Sequence, residues 1–278
     1  APVKVGGLRR DFRGCAPRPA APAFFCPMPF TFSHPALVVP FLRARRRWPW
    51  LSATGLITGS MAPDFEKFFR LHLASKYSHT VASIFYFSCP VSLALAFLFH
   101  GVVRRPLLAN LPVWLWQRVG HYTRFNWPRH CRQHVGGVLL SIVLGAAGHL
   151  FWDCFTHPNR VMTTLMPGMA TLVPLGRRTF ALYQVSGLVN SLVGGGLVAW
   201  AVWRLPVRLA APAPQPAAWW PYWGLAALVA AALLVPWSLV ADTRWLNIGI
   251  TAISASMAGV VVASACFRRK SPAPGRFR

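Results

Sequence analysis

Two short motifs contain three of the five acidic residues of this 278-residue chain. Asp64 and Glu66 lie in GSMAPDFEKF, and Asp153 lies in GHLFWDCFTH between His149 and His157. The last three residues follow one another at intervals of four, so a helix presents them within an arc of about 80°. Imidazoles and carboxylates together suit Zn²⁺, Mn²⁺ or Fe²⁺. The spacing indicates either a metal site or a His–Asp hydrogen bond that ties helices together.

The first acidic motif lies at a predicted helix end. Asp64 and Glu66 follow the helix-ending pair Ala62-Pro63, which places two carboxylates near the membrane interface, where a cation can reach them. Alternatively, the two acids balance Lys67 and Arg70 in a solvated turn.

Two further histidines lie at predicted helix starts. His79 in KYSHT opens the next helix, with Ser78 as the candidate N-cap, and His34 in FTFSHPA precedes a Pro-initiated helix, with Ser33 as the candidate cap. Each histidine is a candidate ligand or a simple polar residue at a helix start.

Long apolar runs must position these side chains, since 55% of the chain is hydrophobic. A run of about 20 apolar residues crosses the hydrocarbon core of a bilayer. Five runs reach that length, at approximately 80–103, 135–155, 181–203, 219–241 and 245–267. A sixth, at 48–63, is short. We therefore predict an all-α fold, a polytopic helical membrane bundle with about five to six transmembrane helices.

The formal charge of +24 comes from 29 Lys and Arg against 5 Asp and Glu, and the basic residues cluster between the apolar runs. This pattern favours membrane topology and contact with lipid headgroups over a nucleic-acid partner. If 48–63 spans, seventeen Lys and Arg lie on the side of 104–134 and seven on the side of 64–79. The first side is then cytoplasmic, and both acidic motifs lie at the outer ends of their helices. If 48–63 is re-entrant, the orientation inverts.

Composition also divides the chain. Residues 1–27 are rich in Arg, Pro, Ala and Gly, so we predict a disordered extension, with Met28 as the natural start. The six cysteines form no CxxC pair, which argues against a disulfide framework or a thiolate zinc site. The remaining predicted units are a motif-bearing membrane domain at 28–205, a linker at 206–218, a C-terminal transmembrane hairpin at 219–267 and a basic tail at 268–278.

Four motifs in order, MPFTFSHPA, GSMAPDFEKF, YSHT and GAAGHLFWDCFTHP, resemble those of a family of uncharacterised bacterial membrane proteins, a domain of unknown function, over 28–205. More distantly, the chain is similar to metal-dependent hydrolases of the bacterial inner membrane, the LexA-binding type. Those have a histidine near the start, a PDxD turn, a THS helix start and a GxxSHxxxD helix. The resemblance implies the metal ligands His34, Asp64, His79, His149 and Asp153.

The chain departs from the hydrolase pattern at three places. Glu66 replaces the second aspartate of the turn, Gly148 precedes the helix histidine, and His157 is an addition. The departures leave open the identity of the metal and the role of His157.

The function that these features favour is a metal-dependent hydrolase of the bacterial inner membrane, acting on a lipid or phosphate-ester-like substrate at the membrane interface. Zinc or manganese would be the cofactor, membrane lipid the partner, and Glu66 and His157 the candidate catalytic residues. A proton- or ion-coupled transporter is an alternative, because intramembrane His and Asp are typical of relays. A non-catalytic structural membrane protein is a third. The chain has no GxSxG motif, which argues against a serine hydrolase.

Overall fold

The computed structural model describes residues 30–44, 47–73, 75–158, 160–176, 178–208, 219–240 and 245–268. The predicted N-terminal extension with Met28 lies outside the described residues, as do most of the predicted linker and nearly all of the basic tail.

Helices dominate the described residues. The α-helices are α1 (Val39–Ala44), α2 (Ala53–Met61), α3 (Phe65–Arg70), α4 (Cys89–Leu98), α5 (Arg104–Ala109), α6 (Val113–Val119), α7 (Trp127–Gln133), α8 (Val135–Asp153), α9 (Val161–Leu165), α10 (Leu182–Trp203), α11 (Trp219–Val240) and α12 (Trp245–Phe267). Short 3₁₀ helices are Thr31–Val38, Ala62–Asp64, Gly120–Arg124 and Pro167–Ala170, and π-helical turns are Ile84–Ser88 and Phe99–Val103. Strands β1 (Leu172–Leu175) and β2 (Arg178–Ala181) form an antiparallel hairpin that pairs Leu172 with Ala181.

Five helical segments among the described residues are long and apolar enough to cross a membrane, which confirms the predicted all-α membrane bundle. They are Ile84–Ala109, Val135–Asp153, Leu182–Trp203, Trp219–Val240 and Asn247–Phe267.

The short sixth run forms α2, whose nine residues rise only about 13 Å, too little to cross a bilayer core alone. Ser52 is its N-cap and accepts a hydrogen bond from the Gly55 amide. The helix lies parallel to α8: the Ser52 amide donates to Ser141 Oγ near its start, and the Ser60 carbonyl contacts His149 near its end.

Glycines set the distance between α2 and α8. A Cβ atom on Gly59 would overlap the carbonyl oxygen of Ile142, and one on Gly145 would overlap the carbonyl oxygen of Leu56. Small residues at such crossings let two backbones approach closely within a membrane. The contact brings the end of α2 against the end of α8, where the two acidic motifs lie.

The C-terminal hairpin packs on the motif-bearing part of the chain. The Asn247 side chain accepts a hydrogen bond from the Leu73 amide, and the Ser254 hydroxyl donates to the Phe68 carbonyl. Helix α12 therefore supports the segment that follows α3.

The bundle has two ends, which differ in charge. At one end, which we name the basic face, Arg118 donates to the Trp203 carbonyl, and Trp50, just after the Arg-rich segment 43–47, touches Gly137. At the other end, the site face, Arg160 donates to the His79 carbonyl. These contacts group the loops as the charge count did when 48–63 was taken to span, although α2 itself has only nine residues. The cytoplasmic assignment of the basic face stays a prediction.

Candidate metal centre

The five residues named as metal ligands converge at the site face from separate segments. His34 lies in the 3₁₀ helix Thr31–Val38, Asp64 ends the 3₁₀ helix after α2, His79 lies in the loop before the first long span, and His149 and Asp153 lie in the last turns of α8. All five are buried, the most exposed being His79 at 7%. Their convergence satisfies the first requirement of a shared metal site.

Close approach of α10 positions His34. Gly194 of α10 lies against Ser33, where a Cβ atom would come within 2.9 Å of the serine side chain and carbonyl oxygen. Ser191 of the same helix accepts a hydrogen bond from the Phe30 amide at 2.8 Å. These two contacts pack the Thr31–Val38 helix against α10.

The imidazole and carboxylate atoms are spaced as metal ligands are. His79 Nε2 lies 3.4 Å from both Asp64 Oδ1 and Asp153 Oδ2. His149 Nε2 lies 3.4 Å from Asp153 Oδ2 and 3.7 Å from Asp64 Oδ1. A charged hydrogen bond is shorter, about 2.7–2.9 Å. Two ligand atoms at tetrahedral angles, each bonded to zinc at about 2.1 Å, lie about 3.4 Å apart.

Several of these buried atoms have no hydrogen-bond partner among the described residues. They include His79 Nε2, His149 Nε2 and Asp153 Oδ2, which face one another. Buried polar atoms are rarely unpartnered, because each costs the free energy of its lost hydration. A cation bonded to them would remove that cost, so the residues present fit a metal ion.

Hydrogen bonds behind the ligands orient the rings. His149 Nδ1 lies 2.7 Å from the Ser60 carbonyl oxygen, so Nδ1 donates a proton there, and in the neutral ring the lone pair is on Nε2. His34 Nδ1 lies 3.3 Å from the Thr31 carbonyl, and the His34 and His149 rings stack with centroids 3.9 Å apart. Such contacts from outside the ligand shell typically fix the tautomer of a metal-binding histidine.

Among the residues that the structure describes, two groups of three meet the distance requirement for a metal site. One is His34, Asp64 and His149, and the other is His79, His149 and Asp153, with all ligand atoms in each group within 4.8 Å of one another. His149 belongs to both. A neutral imidazole nitrogen has one lone pair, so His149 can bind only one ion at a time. The geometry therefore favours one ion, held near His149.

Asp64 has partners on both oxygens. Thr31 Oγ1 donates to Oδ2 at 2.5 Å, and Lys67 Nζ donates to Oδ1 at 2.5 Å. Burial by itself would raise the pKa of Asp64, but the charge of Lys67 and the surrounding histidines hold that pKa well below its usual range. The carboxylate is therefore ionised and able to bind a cation.

Glu66 holds the loop that carries His79. Its two oxygens accept hydrogen bonds from the backbone amides of Lys76, Tyr77 and Ser78 and from Arg70 Nε, at 2.9–3.0 Å. Burial opposes ionisation, yet the backbone hydrogen bonds lower the pKa of Glu66 to about 2. Four donors occupy this carboxylate, which suits a role in positioning His79.

The prediction of Ser78 as a helix cap is wrong. Ser78 Oγ instead contacts His79 Nδ1 at 2.8 Å. Thr80 and Ser83 exchange side-chain-to-amide hydrogen bonds of 3.0 and 3.1 Å and so form the reciprocal cap before the long span. The loop thus leaves Ser78 free to orient the histidine.

His157 lies at the outer edge of the cluster. Its Nδ1 is 3.4 Å from Asp153 Oδ1 and 3.0 Å from Thr156 Oγ1, while its buried Nε2 has no hydrogen-bond partner among the described residues. The side chain is 14% exposed, against 2% for Asp153. Burial lowers the pKa of His157 to about 4, despite the opposing Asp153 carboxylate, so the imidazole is neutral at pH 7.

Three polar contacts of the cluster were not predicted as site residues from the sequence. Thr31 binds Asp64, Ser60 orients His149 through its carbonyl, and Lys67 reaches into the pocket. The position of Lys67, three residues after Asp64, could have indicated an ion pair with that carboxylate, but the sequence also allowed a solvated turn. Gly55 and Gly59, spaced by four, were a signal for the close contact that carries Ser60 to His149.

Residues 28–265 match the family model described as Domain of unknown function (DUF4184). The chain belongs to this family. The DUF4184 match confirms the resemblance to a family of unknown function and extends it past 205 to the C-terminal hairpin. All five candidate ligand residues lie within it. No curated protein and no solved structure matches the chain. The chain is thus a helical membrane protein of the DUF4184 family.

Proposed function

We propose that this DUF4184 protein is a metal-dependent membrane hydrolase that binds one divalent ion, zinc or manganese. Asp64, His79, His149 and Asp153 are its ligands, with His34 completing the shell. The observation that carries the proposal is a set of three buried atoms without a hydrogen-bond partner among the described residues: His79 Nε2 and His149 Nε2 each lie 3.4 Å from the third, Asp153 Oδ2.

The donor set supports this choice of metals. Three imidazoles and two carboxylates, with no thiolate among the cluster's residues, are the ligands of hydrolytic zinc and manganese sites. Asp64 and Asp153 together carry two negative charges, which match the charge of the ion. A structural His–Asp network would instead place a proton donor opposite each acceptor; with Nδ1 donating to Ser60, Nε2 of a neutral His149 is an acceptor, and it has no donor among the described residues.

His157 and Glu66 have different roles in the proposed hydrolysis. An ion bound here would polarise a phosphoryl or acyl oxygen and make a water molecule acidic. His157 is neutral and lies beside Asp153, so it accepts the proton of the attacking water. Glu66 acts through His79 and keeps that ligand in place.

The surroundings favour an amphiphilic substrate. His149 and Asp153 lie in the last turns of the span-length helix α8, which supports a site near the membrane interface. Helix α9, which follows His157, exposes Val161 and Leu165 at 61% and 69%. Such side chains beside the site can contact the acyl chains of a lipid whose phosphate or ester group reaches the metal. The proposed location is the bacterial inner membrane, with the site at its outer face.

Metal analysis of the purified full chain tests the proposal. We expect about one zinc or manganese per chain, and its loss in His149→Ala and Asp153→Ala. His100→Ala is the matched control, because His100 lies at the basic face, and it should keep the metal. A wild-type chain that binds neither metal when supplied would overturn the proposal.

A second measurement separates hydrolysis from transport. The metal-loaded chain in lipid nanodiscs should release product from a phosphodiester or phospholipid, and a chelator should abolish this release. Solute uptake into proteoliposomes that survives chelation, without hydrolysis, would favour a transporter instead.

A further inference from the structure

Lys67 is a buried cation inside the proposed metal site. Lys67 is 8% exposed, and its Nζ donates a hydrogen bond to Asp64 Oδ1. The same oxygen lies 3.4 Å from His79 Nε2. Lys67 therefore lies in direct contact with the proposed ligand shell.

This position is unfavourable for metal binding alone. An ammonium group on a ligand oxygen repels a divalent ion and competes with it for the carboxylate. If Asp64 needed only an orienting partner, a neutral hydroxyl would serve, and Thr31 already supplies one on the other oxygen. The positive charge of Lys67 beside Asp64 therefore indicates a role other than orienting this carboxylate.

With a divalent ion bound, the charges of the proposed metal site do not balance. Asp64 and Asp153 neutralise a divalent ion, and Glu66 is paired with Arg70. The charge of Lys67 is then in excess, and Arg160 adds a guanidinium bonded to the His79 carbonyl at 3.0 Å. Among the described residues no further carboxylate contacts either group. A buried charge without a counter-ion is costly, so a bound anion would complete the site.

We propose that Lys67 is the substrate-binding cation of this site and that it holds one oxygen of a phosphate group whose other oxygen faces the metal. The inference deepens the proposed function and rests on it. It narrows the substrate class to phosphate esters, since a carboxylic ester is neutral and leaves Lys67 without a partner. With an ion bound, Asp64 would be one of its ligands, and the ammonium group of Lys67 would be available to the phosphate.

The test uses the full chain loaded with Mn²⁺ and inorganic phosphate as the probe. Bound Mn²⁺ shortens the ³¹P relaxation times of a phosphate held beside it, which reports binding without any turnover. Lys67→Met should weaken phosphate binding about tenfold or more, while Mn²⁺ affinity stays equal or increases. Lys67→Arg should retain phosphate binding. Lys76→Met is the control, because this exposed side chain on the same loop contributes only its backbone amide.

The outcomes are distinguishable. If wild-type protein binds no Mn²⁺, the proposed function fails, and the inference fails with it. If Mn²⁺ binds and Lys67→Met leaves phosphate affinity unchanged, only the role of Lys67 is overturned. If Lys67→Met loses Mn²⁺, Lys67 is a structural partner of Asp64, and the inference is overturned as well.

Two further arms identify the source of the phosphate. The loaded chain is placed in nanodiscs of phosphatidylcholine with or without phosphatidic acid, and phosphate binding is measured again. Competition by phosphatidic acid that disappears in Lys67→Met assigns the site to lipid headgroups. Equal phosphate binding in both discs, still dependent on Lys67, assigns it to soluble phosphate esters.

Discussion

Two histidine-containing clusters of the described residues lie at opposite ends of the bundle, and their chemistry differs. At the site face, imidazole nitrogens lie 3.4–3.7 Å from carboxylate oxygens, and three of these atoms have no hydrogen-bond partner in the part of the chain that the structure describes. At the basic face, both nitrogens of His100 are satisfied: Nε2 bonds Thr54 Oγ1 at 2.9 Å, and Nδ1 bonds Arg104 Nη1 at 3.0 Å. The His100 ring stacks on Trp127 with an interplanar angle of 9°.

The comparison shows that a partly buried, hydrogen-bonded histidine in a membrane protein does not by itself indicate a metal site. Carboxylates make the difference. The site face has Asp64 and Asp153, whose charge attracts a cation, whereas the neighbour of His100 is the guanidinium of Arg104, which repels one. The same residue type therefore has a candidate ligand role at one end and a packing role at the other.

The largest expected effect is the removal of a carboxylate at the site face. Asp153→Asn keeps the size of the side chain and removes its charge, so zinc or manganese affinity should fall by more than about 100-fold. Equilibrium metal titration of the purified chain measures it. Unchanged affinity in Asp153→Asn would remove the proposed distinction between the two clusters.

The next effect concerns the loop that carries His79. Glu66→Gln replaces an acceptor of four hydrogen bonds by an amide whose NH₂ group faces those donors, so metal affinity should fall by about 10–100-fold. Arg70→Met removes one donor and leaves the three backbone bonds, and should cost much less. Equal losses in both variants would contradict a positioning role of Glu66.

Glu66 also predicts a pH dependence of stability. Its pKa is about 2 in the folded chain against an ordinary value of 4.5, so its contribution is complete above pH 4.5 and is lost as the pH falls towards 2. Thermal unfolding in detergent across this range should show a steeper loss for wild type than for Glu66→Gln. If the stability of wild type and of Glu66→Gln falls equally with pH, other groups cause the loss of stability in acid.

The packing beneath the site predicts a loss of stability. In Gly59→Ala the new methyl group would overlap the Ile142 carbonyl, so the free energy of unfolding should fall by about 1–3 kcal/mol. Gly195→Ala is the matched control, since a Cβ there meets nothing within 4 Å. Thermal unfolding of both variants in the same detergent compares them, and an equally stable Gly59→Ala chain would contradict the close contact.

The smallest effect is expected at the basic face. His100→Ala removes two hydrogen bonds and a ring contact, so the free energy of unfolding should fall by about 1–2 kcal/mol while metal content stays unchanged. Loss of metal from a folded His100→Ala chain would show that the two clusters are coupled.

The sequence alone supplied most of the fold class and the candidate ligands. Long uncharged runs predict spanning helices because each residue's transfer into lipid adds independently of the tertiary structure, and five spans agree with the structure. The scarcity of acids drew attention to Asp64 and Asp153, since carboxylates are costly beside hydrocarbon. The role of each polar residue around them could not be predicted, because hydrogen-bond partners come from distant segments.

The sequence by itself determined the residue types of the site and the helix face that carries His149 and Asp153, because helical periodicity is local. Only the tertiary structure decided that His34 and His79 lie against that face, that Glu66 binds a loop, and that Lys67 enters the pocket. These outcomes depend on backbone approach at small residues such as Gly59 and Gly194. Such contacts join segments far apart in the chain, and a local pattern does not encode their distance.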